Sequence, residues 1–305
     1  MRDLKDFSSS EWLRLLPLQV AFKQARNDAW LAIYKKFRPK TLDLFLRETE
    51  RFKDQNIALV VAFEQPWVLD WLLQMAVCNL TDTTVLVFDN SRRAAARDDI
   101  ERVCRKHQTP FLALPQNPTR HANRSHGMAM TWIFHNVVSV IKPRLFAFID
   151  HDMIPVQKTG LSERLGSQPF FGWERSTGGW AWSLWAGYCM FDFSIVAGLK
   201  MNFLYDFSRG LDTGGRNWDC LYRNHDREQL RFAGSSNIEV RSPSTGVLRS
   251  VQIIDDCWFH IGSVGYNDNF RSKSQFCKEL ANAFDHGISW SQISGDANVH
   301  RTQQP

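Results

Sequence analysis

The segment LFAFIDHD, residues 145–152, joins an apolar run to two carboxylates and decides the fold assignment. Five consecutive apolar residues are typical of a strand covered on both faces, as in a parallel sheet. Asp150 and Asp152 follow at once, where the chain leaves the sheet. Because ligands of open α/β sheets bind beyond the carboxyl ends of the strands, we expect these two acids at a binding site.

Similar apolar runs precede this segment and alternate with helical patterns. Strands are predicted at residues 57–63 (IALVVAF), 85–88 and 111–114, and helices from Pro66, over 92–107 and over 123–141. This alternation predicts an α/β fold with a mostly parallel sheet flanked by helices. No GxGxxG follows the first strand and no GxxxxGK[ST] occurs, which disfavours a dinucleotide-binding domain and a P-loop. Beyond residue 155 the pattern weakens, with a short strand predicted at 251–254.

The chain divides into three parts by composition. Residues 1–55 are predicted to form a helical extension, 56–290 the main domain (a nucleotide-binding half, 56–155, and an acceptor half, 156–290), and 291–305 a flexible tail. Ser8 and Glu11 have the spacing of a helix capping box. Residues 1–53 hold 12 Lys and Arg against 7 Asp and Glu, a balance of +5. Two interpretations stay open: helices packed on the body, or a basic amphipathic segment in peripheral contact with an anionic membrane.

Composition excludes several classes of protein. At 305 residues, 44% hydrophobic and 23% charged, the chain is expected to be globular rather than disordered. The sequence contains no uninterrupted apolar stretch of about 18 residues, so no transmembrane helix is expected. The first residues lack the apolar core of a signal peptide. Six dispersed cysteines suit reduced thiols, so a cytoplasmic location is expected. Because the positive excess lies outside the main domain, a nucleic-acid partner is not expected.

The acids of residues 150–152 suit a metal ion. Two carboxylates at i and i+2 can converge on one Mn2+ or Mg2+ ion, which takes oxygen ligands and leaves positions open for phosphates. His260, in WFHIGS (258–263), is a candidate third ligand and favours Mn2+. The alternatives are a pair of solvated turn acids and a hydrogen-bonded histidine among aromatics. A 2-His-1-carboxylate iron site is disfavoured, because Asp150 stands where that motif needs a histidine.

Three segments, IALVVAF, VLVFDNS and LFAFIDHD, resemble the GT-A type nucleotide-sugar glycosyltransferases with a D-x-D motif. The resemblance covers residues 56–155 well and 156–270 loosely. It implies a Rossmann-like GT-A fold and transfer of a sugar from a nucleotide-sugar donor, expected to be UDP-linked, to an acceptor hydroxyl. It also implies that Asp89 holds the base or ribose, that Asp150 binds the ribose and the metal–diphosphate, and that Asp152 is a direct metal ligand. VFDNS lacks the glycine of the commoner V-D-N/D-G-S version.

An inverting transferase needs a carboxylate that deprotonates the acceptor. Asp212, in the Gly-rich segment GLDTGG (210–215), is the candidate, with a turn aspartate as the alternative; a mobile loop is expected there. Arg271 is a candidate for contacting the diphosphate, or else a surface cation. Trp180 and Trp182 are candidates for stacking on an acceptor sugar, in an aromatic cluster that also supplies core.

These observations predict a metal-dependent glycosyltransferase that acts on a glycan or glycoconjugate acceptor, as in polysaccharide biosynthesis. One alternative is a nucleotidyltransferase that makes a nucleotide sugar. It is disfavoured because AFEQPW, around the end of the first strand, lacks a Gly-rich loop with a lysine. The other alternative is a non-catalytic glycan-binding protein on the same fold.

Overall fold

The computed structural model describes residues 7–176, 181–262, 264 and 269–294, the side chains of 269–272 excepted. The strands are β1 (Asn56–Ala62), β2 (Thr84–Asp89), β3 (Phe111–Ala113), β4 (Leu145–Asp150), β5 (Met153–Pro155), β6 (Phe170–Ser176), β7 (Trp182–Asp192), β8 (Ser235–Arg241), β9 (Leu248–Ile254) and β10 (Trp258–His260). The helices are α1 (Ser9–Leu13), α2 (Leu16–Tyr34), α3 (Leu42–Thr49), α4 (Pro66–Asn79), α5 (Ala94–Lys106), α6 (Ala122–Ile133), α7 (Ser139–Ile141), α8 (Leu161–Leu165), α9 (Phe193–Val196), α10 (Asn269–Asp285) and α11 (Trp290–Ser294). A π-helical segment, Phe134–Val138, joins α6 to α7, and 3-10 turns cover Glu50–Phe52, Gly215–Asn217, Tyr222–Asn224 and Arg227–Gln229.

The main sheet has the predicted α/β character. Within the described residues it contains six strands in the order β3-β2-β1-β4-β7-β6. The first four are parallel to one another, whereas β7 pairs antiparallel with β4 and β6 antiparallel with β7. The prediction of a mostly parallel sheet flanked by helices is therefore confirmed. The predicted strands and helices of residues 56–150 fall on observed ones, with ends that differ by at most two residues, except that the helix predicted over 123–141 comprises α6, the π-helical segment and α7.

Alternate residues of β1 supply the two halves of the core. Ala58, Val60 and Ala62 pack with α4, α5 and the second sheet. Ile57, Leu59 and Val61 pack with α2, α3 and α6. Every residue of β1 is buried, as its uninterrupted apolar run requires. The parallel strands therefore present only their ends to solvent, and polar chemistry is confined to the sheet edges.

A second sheet follows the D-x-D segment and was not predicted beyond residues 251–254. Its strands run antiparallel in the order β5-β10-β9-β8. The pairing of β5 with β10 sets His260 opposite Met153, and the Ile261 amide donates to the Asp152 carbonyl at 3.0 Å. This sheet therefore brings the late histidine next to the acids that end β4.

The N-terminal helices pack on the body. The capping box is present, with Ser8 accepting from the Glu11 amide and Glu11 from the Ser8 amide. On α2, Gln24 Nε2 donates to Asp206 Oδ1 at 3.1 Å and Asn27 Nδ2 donates to Tyr205 OH at 3.2 Å. One face of α2 is therefore fixed to the segment that precedes Asp212.

The carboxyl-terminal boundary lies later than predicted. Residues 291–294, assigned to a flexible tail, belong to α11, and Ile293 is buried. Trp290 stacks on Phe284 with ring centroids 6.3 Å apart, which anchors this helix. The remainder of the predicted tail, residues 295–305, lies outside the described residues.

Other expectations concern the whole chain. None of the described helices is long and apolar enough to cross a membrane. All six cysteines are unpaired, as expected for reduced thiols.

Gly172 is required by the pairing of β6 with β7. A Cβ there would lie 2.4 Å from the Tyr188 carbonyl oxygen and 2.9 Å from the Cys189 Cα, and neither backbone atom can move cheaply. We expect Gly172→Ala to lower the free energy of unfolding by about 1–3 kcal/mol, measured by urea denaturation. Gly198→Ala is the control, since a Cβ there meets nothing within 4 Å. Equal stability of the two variants would contradict this packing.

Candidate functional site

A cavity of about 540 Å³ opens at the carboxyl ends of β1, β2 and β4, where the topology places ligands. Polar and aromatic side chains from both sheets and from α6 line it: Asn90, Arg92, Arg120, Asn123, His126, Asp150, Asp152, Trp173, Arg175, Trp185, Asp212, Gln252 and His260. Four predicted site residues, Asp150, Asp152, His260 and Asp212, are among them. The fold thus brings to one cavity four predicted residues that are up to 110 positions apart in the sequence.

The D-x-D acids and His260 form one side of this cavity. Asp150 ends β4 with 26% of its side chain exposed, and Asp152 is almost fully buried. His260 Nε2 lies 4.0 Å from Asp152 Oδ2. On the other side of the ring, His260 Nδ1 lies 2.7 Å from Gln252 Oε1, an atom that can only accept. Gln252 therefore fixes the Nδ1–H tautomer and leaves the Nε2 lone pair facing Asp152.

The acids are surrounded by imidazoles rather than by cationic side chains. Among the described residues, the ion-pair distances to these carboxylates come from His126 and His260 alone, with His126 Nε2 3.3 Å from Asp150 Oδ1. Burial, and then the Asp152 carboxylate, raise the pKa of Asp150. Burial lowers the pKa of His126 to about 4, and it also lowers the pKa of His151. Burial therefore favours the neutral forms of His126 and His151, which do not supply positive charge to the neighbouring carboxylates.

Asp212 also lines the cavity, and backbone and side-chain hydrogen bonds fix the loop that carries it. Asp212 Oδ1 accepts from Asn123 Nδ2 at 2.9 Å and from the Thr213 amide at 2.7 Å. The Gly214 amide donates to the Phe203 carbonyl at 2.8 Å, and the Asp206 and Leu211 backbones bond to each other. The mobility expected from the glycines is not needed to place this carboxylate. No described residue engages Oδ2, which leaves that oxygen available.

Several residues of the site were missed by sequence reasoning. His126 lies near the start of α6, and the helical pattern predicted over 123–141 gave this side chain no role. Trp173 and Trp185 line the cavity with ring centroids 5.3 Å apart, and Trp185 contacts the His260 ring at 5.0 Å. Their signal was an aromatic cluster, in which spacing alone does not separate wall from core.

Gly187 makes room for this aromatic wall. Tyr188 pairs with Ile149 across the antiparallel strands. Gly187, one residue before Tyr188, therefore lies opposite Asp150, one residue after Ile149. A Cβ there would be 2.4 Å from the Trp185 ring and 2.5 Å from Asp150 Oδ2. The absent side chain therefore lets an indole and a carboxylate approach each other.

The structure does not bring Asp89 or Trp182 to the cavity. Asp89 is fully buried, where it accepts from the Ser91 amide at 3.0 Å and lies 3.2 Å from Arg97 Nε. The neighbouring Asn90 and Arg92 line the cavity instead. Trp182 is 3% exposed in the core, and its ring centroid lies 5.0 Å from that of Tyr222.

The structure does not describe the side chains of two further residues predicted from the sequence. Trp180 is outside the described residues, and Arg271 belongs to α10 but its side chain is not described. Its neighbour Lys273 donates to the Ile261 carbonyl, one residue from His260.

The predicted metal ligands fit a divalent cation in their chemistry but are not gathered into a closed coordination site. In the described parts of the chain, no group of three or more His, Cys, Asp or Glu side chains is gathered closely enough to hold a metal ion. The donor chemistry nevertheless fits a divalent cation: two carboxylates without a cationic partner and an imidazole nitrogen turned toward one of them.

Comparison with known proteins finds distant structural similarity and no match by sequence. No protein-family model matches the sequence, and no curated protein matches it. The structure is similar to that of the mannosyltransferase PcManGT from Pyrobaculum calidifontis, solved in complex with GDP-Man and Mn2+. The TM-score is 0.35 at 10% sequence identity, and the match covers 58% of this chain. The match spans 56% of the length of that protein.

The hydrogen bond between Gln252 and His260 predicts a tautomer that can be measured. At a pH where the imidazoles are neutral, long-range 1H–15N NMR correlations should show His260 protonated at Nδ1. In Gln252→Ala this partner is gone, and we expect the Nε2–H form to become dominant. His260→Gln assigns the signal. An Nε2–H imidazole in the unaltered protein would contradict the geometry.

Proposed function

We propose that this protein is a metal-dependent glycosyltransferase of GT-A type, with a nucleotide-sugar donor and a glycan or glycoconjugate acceptor. The observation that carries the proposal is the convergence of Asp150, Asp152, His260 and Asp212 on one cavity at the carboxyl ends of the sheet. The sequence resemblance of residues 56–155 supports the same class. Six unpaired cysteines suit a reducing cytoplasm.

The donor side is formed by the acids and by cationic side chains. Asp150, Asp152 and His260 would hold Mn2+ or Mg2+, which when bound acts as a Lewis acid that stabilises the leaving nucleoside diphosphate. Arg92 and Arg120 line the same cavity and supply guanidinium groups suited to phosphate oxygens. Arg271 remains a candidate from the sequence. We propose UDP as the first nucleotide to test, with an inverting outcome.

The acceptor side is formed by Asp212 and the aromatic wall. The Asp212 carboxylate would take the proton of the acceptor hydroxyl, with Asn123 holding Oδ1 so that Oδ2 points to the proton. Trp173 and Trp185 offer ring faces and edges to a sugar, in the role that the sequence assigned to Trp180 and Trp182. Arg175 lies over the Trp173 ring at 4.6 Å and restricts its rotation.

Metal-dependent nucleotide binding tests the donor side. A ligand at 100 times its dissociation constant adds about 2.7 kcal/mol of apparent stability, visible as a raised melting temperature. We expect one of UDP, GDP, CDP or ADP to stabilise the protein only when Mn2+ or Mg2+ is present. Asp152→Asn should abolish that shift because it removes one negative charge from the site.

The matched control is Asp98→Asn, a change of the same kind on the exposed surface of α5. It should keep the full shift. If no diphosphate stabilises the protein with any metal, the transferase proposal fails and a glycan-binding function moves to the front.

Asp212→Asn tests the acceptor side separately. The change keeps the size of the side chain and removes its basicity, so the turnover number should fall roughly 100-fold or more. Calorimetry should find donor binding unchanged, because Asp212 is assigned no donor contact. Turnover within a fewfold of the unaltered protein would exclude Asp212 as the base.

A further inference from the structure

The α2 helix has a second apolar face that the body does not cover. Leu18, Phe22 and Ile33 recur at helical spacing and leave 57%, 70% and 50% of their surfaces exposed. The opposite face carries Asn27, Leu31 and Tyr34 and is buried. A helix that only packed on the domain would be polar on its outer side. The exposed apolar face therefore indicates a surface that another molecule covers.

Apolar residues of the preceding helix and turn extend this outer face. Leu13, at the end of α1, is 86% exposed, and Leu15, between α1 and α2, is 57% exposed. Trp12 and Trp30 are also partly exposed, and a tryptophan suits a membrane–water boundary because its ring is apolar and its N–H polar. We name this set the outer face of α1–α2: Trp12, Leu13, Leu15, Leu18, Phe22, Trp30 and Ile33.

Basic side chains flank the outer face. Arg14, Lys23 and Arg26 are exposed beside it, and Lys36 and Lys40 follow α2. Residues 1–53 carry a balance of +5, equal to the net charge of the whole chain. Exposed apolar side chains flanked by Lys and Arg are the pattern of helices that lie in the plane of an anionic membrane surface.

We propose that the outer face of α1–α2 docks the protein on a bilayer that contains anionic lipids. A second copy of the chain is a poorer occupant, because its face would bring the same positive charges. A lipid surface brings the opposite charge and an apolar boundary together. The two sequence interpretations of the leader are compatible, since one face of α2 holds the body and the other faces outward. The proposal concerns a surface outside the cavity and does not depend on the proposed function.

Vesicle co-sedimentation of the full chain tests this surface. We expect binding to vesicles of phosphatidylcholine mixed with phosphatidylglycerol, weaker binding to phosphatidylcholine alone, and a loss of binding at high salt. The double variant Leu18→Ser, Phe22→Ser should bind at least roughly tenfold more weakly, because two inserted apolar side chains are lost. Lys23→Glu, Arg26→Glu should weaken binding to the anionic vesicles only.

The control pair is Val77→Ser, Val140→Ser, two exposed apolar residues on other parts of the surface. This variant should bind like the unaltered protein. Thermal melting should be nearly unchanged in all variants, since every substituted residue is exposed. The proposal is overturned if the unaltered protein stays in the supernatant with anionic vesicles, or if Leu18→Ser, Phe22→Ser binds as well as the control. A dimer that this same variant converts to monomer would assign the face to a second copy.

Discussion

The placement of two carboxylates at the end of β4, one partly buried and one buried, is the constraint on which the site depends. Taking a carboxylate out of water costs several kcal/mol unless it is paired, and neither Asp150 nor Asp152 has a Lys or Arg partner among the described side chains. Burial and the neighbouring Asp152 raise the pKa of Asp150, which favours its neutral form. A cation bound between the two carboxylates would reduce both their mutual repulsion and the free-energy cost of their burial.

The surrounding elements serve that arrangement from two directions. At the β4–β7 border the sheet changes from parallel to antiparallel, and Gly187 removes the side chain that would collide with Asp150. The small second sheet then turns the chain back so that His260 and Gln252 face the acids. Neither element is large, but each fixes the position of a candidate site residue through backbone pairing.

Local sequence patterns predicted the parallel half because each buried strand there is a continuous apolar run, as in residues 57–63 and 145–149. In the second sheet, β5 and β10 were missed because each has three residues and they pair across about 100 residues. β8 and most of β9 were missed because polar residues interrupt their apolar pattern, although each strand has seven residues. Strand alternation explains the misplaced acid: Asp89 shares the face of Val87, beneath Arg97, whereas Asp150 shares the face of Phe148. The apolar pattern of the sequence predicts where a strand ends. Whether the last side chain points into the core or into the cavity depends on the helices that pack on each face of the sheet.

The grip of α2 on the body has a geometric consequence. Gln24 holds Asp206 and Asp28 pairs with Arg216, on either side of the loop that carries Asp212. Whatever holds the outer side of α2 therefore also sets the direction in which the cavity opens. If the proposed transferase is held in this way and its acceptor lies in the same bilayer, the two would meet by diffusion in two dimensions rather than three.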